Sequence, residues 1–226
     1  PRPELEYVIT NSRASMIIAH PNFEALLGPI ARSHNLRFIL TSETLPTQIS
    51  HLPEIDISRR ALILYTSGTT GKPKGVVTTH QNIQAQVTSL IDAWEWKVRD
   101  RILHVLPLHH IHGIVNVLTC ALWAGAECEM LSKFDAETVW HRICDGNLTL
   151  FMAVPTIYVK LIAAWETATE ERQKSRSESC AKMRLMVSGS AALPVQVLEK
   201  WQKISRHFLL ERYGMTEIGM ALSNPL

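Results

Sequence analysis

The sequence predicts an α/β fold, mostly parallel sheets packed with helices, on three observations. Short apolar runs rich in β-favouring residues recur along the chain, and helix-length amphipathic segments separate most of them. The 226 residues, 46% hydrophobic and 19% charged, are enough to bury a sizeable core.

The elements follow in order. "SMIIA" (15–19) and "LRFIL" (36–40) read as strands around a helix at 22–33. "ALILYT" (61–66) is the next strand, and residues 81–94 have helical length and pattern. "RILHV" (101–105) and "AECEML" (126–131) are strands on either side of a helix at 114–123. A helix at 136–144 leads to "TLFMA" (149–153), and one at 156–165 precedes "MRLMV" (183–187). The helix at 194–205 is the clearest: Pro194 suits a first turn, and Leu198, Trp201, Ser205 and Phe208 trace a helical stripe. That stripe marks Trp201 as core rather than a cofactor contact. "HFLL" (207–210) closes the list as a strand. Two polar stretches read as connections: 41–60, with two prolines, and the mixed-charge run 166–179, taken as a solvated helix end and loop.

Composition narrows the function. A net charge of +2 with His neutral indicates neither disorder nor a nucleic-acid surface. No apolar run reaches the roughly 18 residues of a membrane span. Cys120, Cys128, Cys144 and Cys180 are irregularly spaced in apolar surroundings, which suits reduced, buried thiols. The opening "PRPELEYVIT" has neither an initiator Met nor a targeting segment, so the chain reads as an internal piece of something longer. No protein partner is evident.

"YTSGTTGKPKG" (65–75) is the first stretch that carries chemistry. Gly68, Gly71 and Gly75 let successive amides turn toward one anion; Ser67, Thr69 and Thr70 add hydroxyls, and Lys72 and Lys74 add charge. After "ALILYT" the loop falls at a strand's carboxyl end, where open parallel sheets bind ligands. It is not a Walker loop: only two residues separate Gly68 from Gly71, and Pro73 stands where that motif has Ser or Thr. A polyphosphate loop and a flexible turn both fit its composition.

The order of the stretch resembles the phosphate-binding signature of the adenylate-forming superfamily, which takes in acyl-CoA synthetases, luciferases and peptide-synthetase adenylation domains. "LMVSGSAALP" (185–194) and "ERYGMTE" (211–217) resemble that family's later motifs, in the same order. The resemblance implies the large N-terminal domain of that fold, of which 1–226 is an internal part lacking the small C-terminal lid. It implies ATP, Mg2+ and CoA, with a carboxylate attacking the α-phosphate and the acyl group then passing to a thiol. The ATP loop would be Thr66, Ser67, Gly68, Thr69, Thr70, Gly71, Lys72, Pro73 and Lys74. Gly189, Ser190, Ala191, Tyr213 and Gly214 would frame the nucleotide, Thr216 would meet the α-phosphate, and Glu217 with Thr216 would serve the metal. Lys74, Thr216, Glu217 and His110 form the implied catalytic set. A cap or surface charge is the plainer reading of Glu217, and a core aromatic that of Tyr213.

"LPLHHIHG" (106–113) holds His109, His110 and His112 without the i, i+4 spacing of a helical zinc pair. The family places a His at the position of His110 beside the acid. More narrowly, the motifs together resemble the malonyl-CoA synthetases, including the animal mitochondrial enzymes for malonate and methylmalonate. That implies a mitochondrial setting and a dicarboxylic acid whose second carboxylate needs a matching charge. The resemblance assigns Arg184 to that charge, with His110 or His112 and Ser188 beside the acid; a solvated strand-end charge is the alternative for Arg184. Other acids, a carrier-protein thiol as acceptor, and a truncated nucleotide-binding product without catalysis are the competing readings. Without the lid, the 226 residues alone are expected to turn over little or not at all.

Overall fold

A computed structural model describes residues 2–43, 52–67 and 71–226. Gly68, Thr69 and Thr70 of the loop and residues 44–51 of the first connection lie outside them. The chain forms two compact units, Pro1–His80 and Gln81–Leu226.

In the first unit, α1 (Arg2–Asn11) precedes β1 (Met16–Ala19), α2 (Glu24–Ser33) and β2 (Arg37–Leu40). β1 and β2 pair in parallel, with α2 in the crossover between them. Ile17, Ala19 and Ala31 form the core here, with Ile9, Leu27, Leu36 and Phe38 packed around them. β3 (Arg60–Thr66) and β4 (Lys74–Thr79) make a separate antiparallel ribbon, with Thr66 opposite Lys74. The strand that leads into the glycine-rich stretch is therefore paired antiparallel with the strand that follows it, where the sequence suggested a parallel sheet. The reason is length: the stretch 67–73 is too short for the crossover of about a dozen residues that a parallel pair requires.

The second unit is built on a six-stranded sheet in the order β10-β9-β8-β7-β5-β6. Its strands are β5 (Arg101–His104), β6 (Glu127–Met130), β7 (Leu150–Ala153), β8 (Leu185–Ser188), β9 (Leu210–Met215) and β10 (Gly219–Ser223). All neighbours are parallel except the β9–β10 hairpin. Every residue of β7 and β8 is buried, as in strands covered on both faces. Helices α5 (Ala136–Cys144), α6 (Pro155–Glu166) and α8 (Val195–Ser205) meet in an aromatic cluster. Trp201 stacks on Trp140 at 5.7 Å and meets the Tyr158 ring edge-on at 4.9 Å, which makes it the core residue expected.

Four sequence expectations change. Residues 166–179 are not a loop: α7 (Glu170–Cys180) occupies most of them, and its buried residues are Arg176 and Cys180. Arg176 bonds Glu137 and the Ala164 carbonyl and lies over the Trp140 ring, so polar contacts replace an apolar stripe. Phe208 leaves the stripe of α8, because Arg206 ends the helix at φ 64°, and its side chain is exposed. The helix at 114–123 is a π-helix, His112–Thr119, running into α4 (Cys120–Ala124). The last strand runs past 210, so "ERYGM" is β9 itself rather than a segment after it.

The four cysteines are free thiols, and burial raises those of Cys120 and Cys180 to about 12. No helix among the described residues is long and apolar enough to cross a membrane.

Candidate active site

Because β5, β7, β8 and β9 run parallel, their carboxyl ends share one edge of the sheet. The segments after β5 and β8, together with β9 itself, carry the candidate residues of the second unit. Ser190, Ala191, Ala192, Arg212, Tyr213 and Gly214 line one cleft of about 680 Å³. Of the expected nucleotide-framing residues, Ser190, Ala191, Tyr213 and Gly214 line this cleft and Gly189 does not, with Tyr213 exposed on it.

Arg212 is the residue that the sequence reading missed. Its side chain is buried, with 8% of the residue exposed, and burial lowers its guanidinium to about 10. One terminal nitrogen donates to Ser190 Oγ at 3.2 Å, while Nε has no partner. No carboxylate among the described residues forms an ion pair with it. The same Ser190 Oγ lies 3.2 Å from His112 Nδ1, so three segments meet at one hydroxyl. The available signal was the Arg within "ERYGMTE", on a strand whose neighbours Leu210 and Arg212 are both buried.

The histidine run divides. His109 and His110 are exposed and their rings lie 4.3 Å apart, whereas His112 is buried at the start of the π-helix. Burial, with Arg212 and His104 nearby, lowers His112 to about 2, so its ring is neutral; Nε2 is buried without a partner. Burial and the neighbouring His109 also lower His110. No group of three metal-ligating side chains occurs among the described residues. Thr216 and the exposed Glu217 sit in the β9–β10 turn, a hard-oxygen pair of the kind Mg2+ accepts when phosphate and water complete its shell. Ser188 is fully buried at the end of β8, with its hydroxyl unpartnered.

Arg184 is not brought to this cluster. It precedes β8, at the amino edge of the sheet, and points to Asp100 with bonds of 2.6 and 3.1 Å and to the Trp94 carbonyl at 2.8 Å. Asp100, 2% exposed, also accepts from the Lys97 amide and the Thr149 hydroxyl. Burial alone would raise its carboxyl; the bonds from Arg184, Lys97 and Thr149 outweigh that and hold it below the usual range. The guanidinium expected at the acid is engaged at the opposite edge.

In the first unit, Thr66 and Lys74 face each other at the mouth of the hairpin. Ser67, Gly71, Lys72 and Pro73 lie in its connection, with Gly71 at φ 87°. Tyr7 supports this loop, donating to the Pro73 carbonyl at 3.1 Å, with Lys72 Nζ 5.7 Å from its ring centre.

The AMP-binding enzyme family model matches residues 1–226. The chain belongs to that family. It is 49% identical to the mitochondrial malonate–CoA ligase of Bos taurus, covering all of this chain and 41% of the relative. It is 41% identical to the malonate–CoA ligase of Arabidopsis thaliana, again covering 100% of this chain and 41% of that one. Among solved structures, a malonyl-CoA ligase with methylmalonyl-CoA and AMP bound superposes with a TM-score of 0.84 at 33% identity, over 97% of this chain and 45% of the other. ATP-bound MatB from Rhodopseudomonas palustris gives 0.86 at 29% identity, over 100% and 45%. The chain therefore spans about two fifths of the length of these AMP-binding enzymes.

Proposed function

We propose that this chain is part of a longer AMP-forming acid:CoA ligase acting on a short dicarboxylic acid, malonate or methylmalonate. The observation that carries the acid is Arg212, a buried cation with no anion partner among the described residues. A buried unpaired charge is costly, and a carboxylate bound there would relieve that cost. A monocarboxylic acid has no second anion to offer once its reacting carboxylate is committed to ATP. The malonate–CoA ligases among the relatives support the same choice.

Arg212 donates to Ser190 Oγ, which leaves the serine its own proton to give to His112 Nδ1. The His112 proton then resides on Nε2, a donor that a carboxylate oxygen can accept. This favours His112 over His110 beside the acid and gives Arg184 a structural role. His110 stays the expected family position, on the exposed side of the run.

The other roles follow the family. Lys72, Lys74 and the loop amides hold the terminal phosphates of ATP, Tyr213 and the 189–191 backbone frame the adenine, and Thr216 donates to the α-phosphate. The carboxylate attacks that phosphorus, an acyl-adenylate forms and pyrophosphate leaves; a thiol, CoA in this reading, then displaces AMP. Charge accumulates on phosphate oxygens throughout, so preorganised donors supply most of the stabilisation. Thr216 and Glu217 would hold Mg2+, which neutralises phosphate charge when bound. A lid outside these residues completes the site, and a mitochondrial setting accompanies the animal relatives.

Pyrophosphate release by the complete enzyme, measured across malonate, methylmalonate, acetate and octanoate, tests the assignment. Malonate or methylmalonate should lead, and Arg212→Ala should remove that lead. A higher kcat/KM for acetate or octanoate in the unmodified enzyme would sink the dicarboxylate reading.

A further inference from the structure

Residues 189 and 190 invert what the backbone asks for. Ser190 sits at φ 67°, in the left-handed region where glycine is the comfortable occupant. Gly189, immediately before it, does not have a positive φ, so φ gives no call for glycine there. Nothing in the local conformation requires glycine at 189 or serine at 190. Arg212 touches both. A Cβ on Gly189 would collide with Arg212 Nε, Cδ and Cζ, so the guanidinium end would have to move. The guanidinium end of Arg212 therefore lies against the bare backbone of residue 189. The β8–β9 ladder ends at the Ser188–Glu211 pair, which makes Gly189 and Arg212 the next residues along the two segments. Ser190, held in its strained conformation, supplies the hydroxyl that accepts from the guanidinium and reaches His112.

We propose that Gly189 and Ser190 are positioning residues that together seat the Arg212 guanidinium, and that this seat determines the enzyme's selectivity for dicarboxylic acids. Gly189 leaves the space and Ser190 fixes the orientation. The strained serine and the bare glycine lie against the same guanidinium. The inference rests on Arg212 being the partner of the acid's second carboxylate.

The test uses the complete enzyme with saturating ATP and CoA and compares kcat/KM for malonate with that for acetate. Gly189→Ala should lower the malonate-to-acetate ratio at least tenfold, and Ser190→Ala should lower it in the same direction. Gly189→Ala combined with Arg212→Ala should show no further loss of selectivity beyond Arg212→Ala alone, because the glycine discriminates between acids through the arginine, whereas its place beside the adenine is common to both acids. Equal losses with both acids in Gly189→Ala, or a ratio left at its original value, would overturn the proposal. Thermal melting provides an independent arm should Gly189→Ala fold poorly. Removing the guanidinium relieves the clash, so the double variant should melt above Gly189→Ala; a double variant no more stable than the single one refutes the seat. An unchanged ratio in Arg212→Ala alone would instead defeat the dicarboxylate reading, and the melting comparison would still decide whether the seat exists.

Discussion

At the scale of single residues, the molecule contains two arginines that sequence chemistry alone does not rank. Arg184 flanks one family motif and Arg212 lies within another, and either guanidinium suits a carboxylate. Their surroundings separate them: Arg184 is matched by buried Asp100, whereas Arg212 finds a serine hydroxyl and no carboxylate among the described residues. Arg184→Leu should leave the malonate-to-acetate ratio of the complete enzyme unchanged while destabilising it by about 3–5 kcal/mol, since Asp100 would remain buried without its partner. Denaturant unfolding together with the two-acid assay checks this. A selective rise in malonate KM would restore Arg184 to the acid site. The residue-level signal that was legible, three motifs in order, points to the AMP-binding family; which arginine is proposed to meet the acid turns on strand direction, since one guanidinium lies at each edge of a parallel sheet.

At the scale of elements, the strands and helices with apolar periodicity were legible, because burial on two sheet faces or one helix face imprints itself on the sequence. α7 was not. It buries Arg176 and anchors Trp165 through Gln173 and Ser177, so hydrogen bonds and a cation over Trp140 do what an apolar stripe does elsewhere. The β3–β4 hairpin was half legible: the strand before the loop is plainly apolar, whereas "KGVVTT" begins with the motif's own lysine and glycine, and its extended conformation comes from pairing with β3. The aromatic cluster of α5, α6 and α8 gives the element-scale prediction. Trp201→Ala removes a fully buried ring between Trp140 and Tyr158 and should cost about 3–5 kcal/mol, with part of that cost arising from the cavity left behind. Trp201→Phe should recover much of the loss. A shift in the unfolding midpoint no larger than that of a surface substitution would show that the cluster does not hold these helices together.

At the scale of the whole molecule, the buried histidines couple folding to pH. His104, His112 and His207 are each lowered chiefly by burial, with His112 falling to about 2. Hydrogen bonds to backbone carbonyls oppose the shift at His104 and His207, and nearby Arg212 and His104 deepen it at His112. The unfolded chain takes up protons at these rings as pH drops through about 6.5, while the folded chain does not, so stability is complete above that value and declines below it. Asp100 adds a second, more acidic component with the same sign. Its folded carboxyl is lowered, so its contribution is lost only as pH falls below about 4, the ordinary carboxylate range. Unfolding free energies of the complete enzyme should therefore decline in two stages on acidification. His112→Gln should flatten the first stage without touching the second, because the amide replaces the ring without a titrating group. Arg184→Leu should instead shrink the Asp100 component, since only the Lys97 and Thr149 bonds then oppose the effect of burial on its carboxyl. A stability profile flat from pH 7 to 5, or one in which His112→Gln leaves the first stage as steep as before, would mean that His112 is not the neutral, buried ring from which the donor role at the acid is argued.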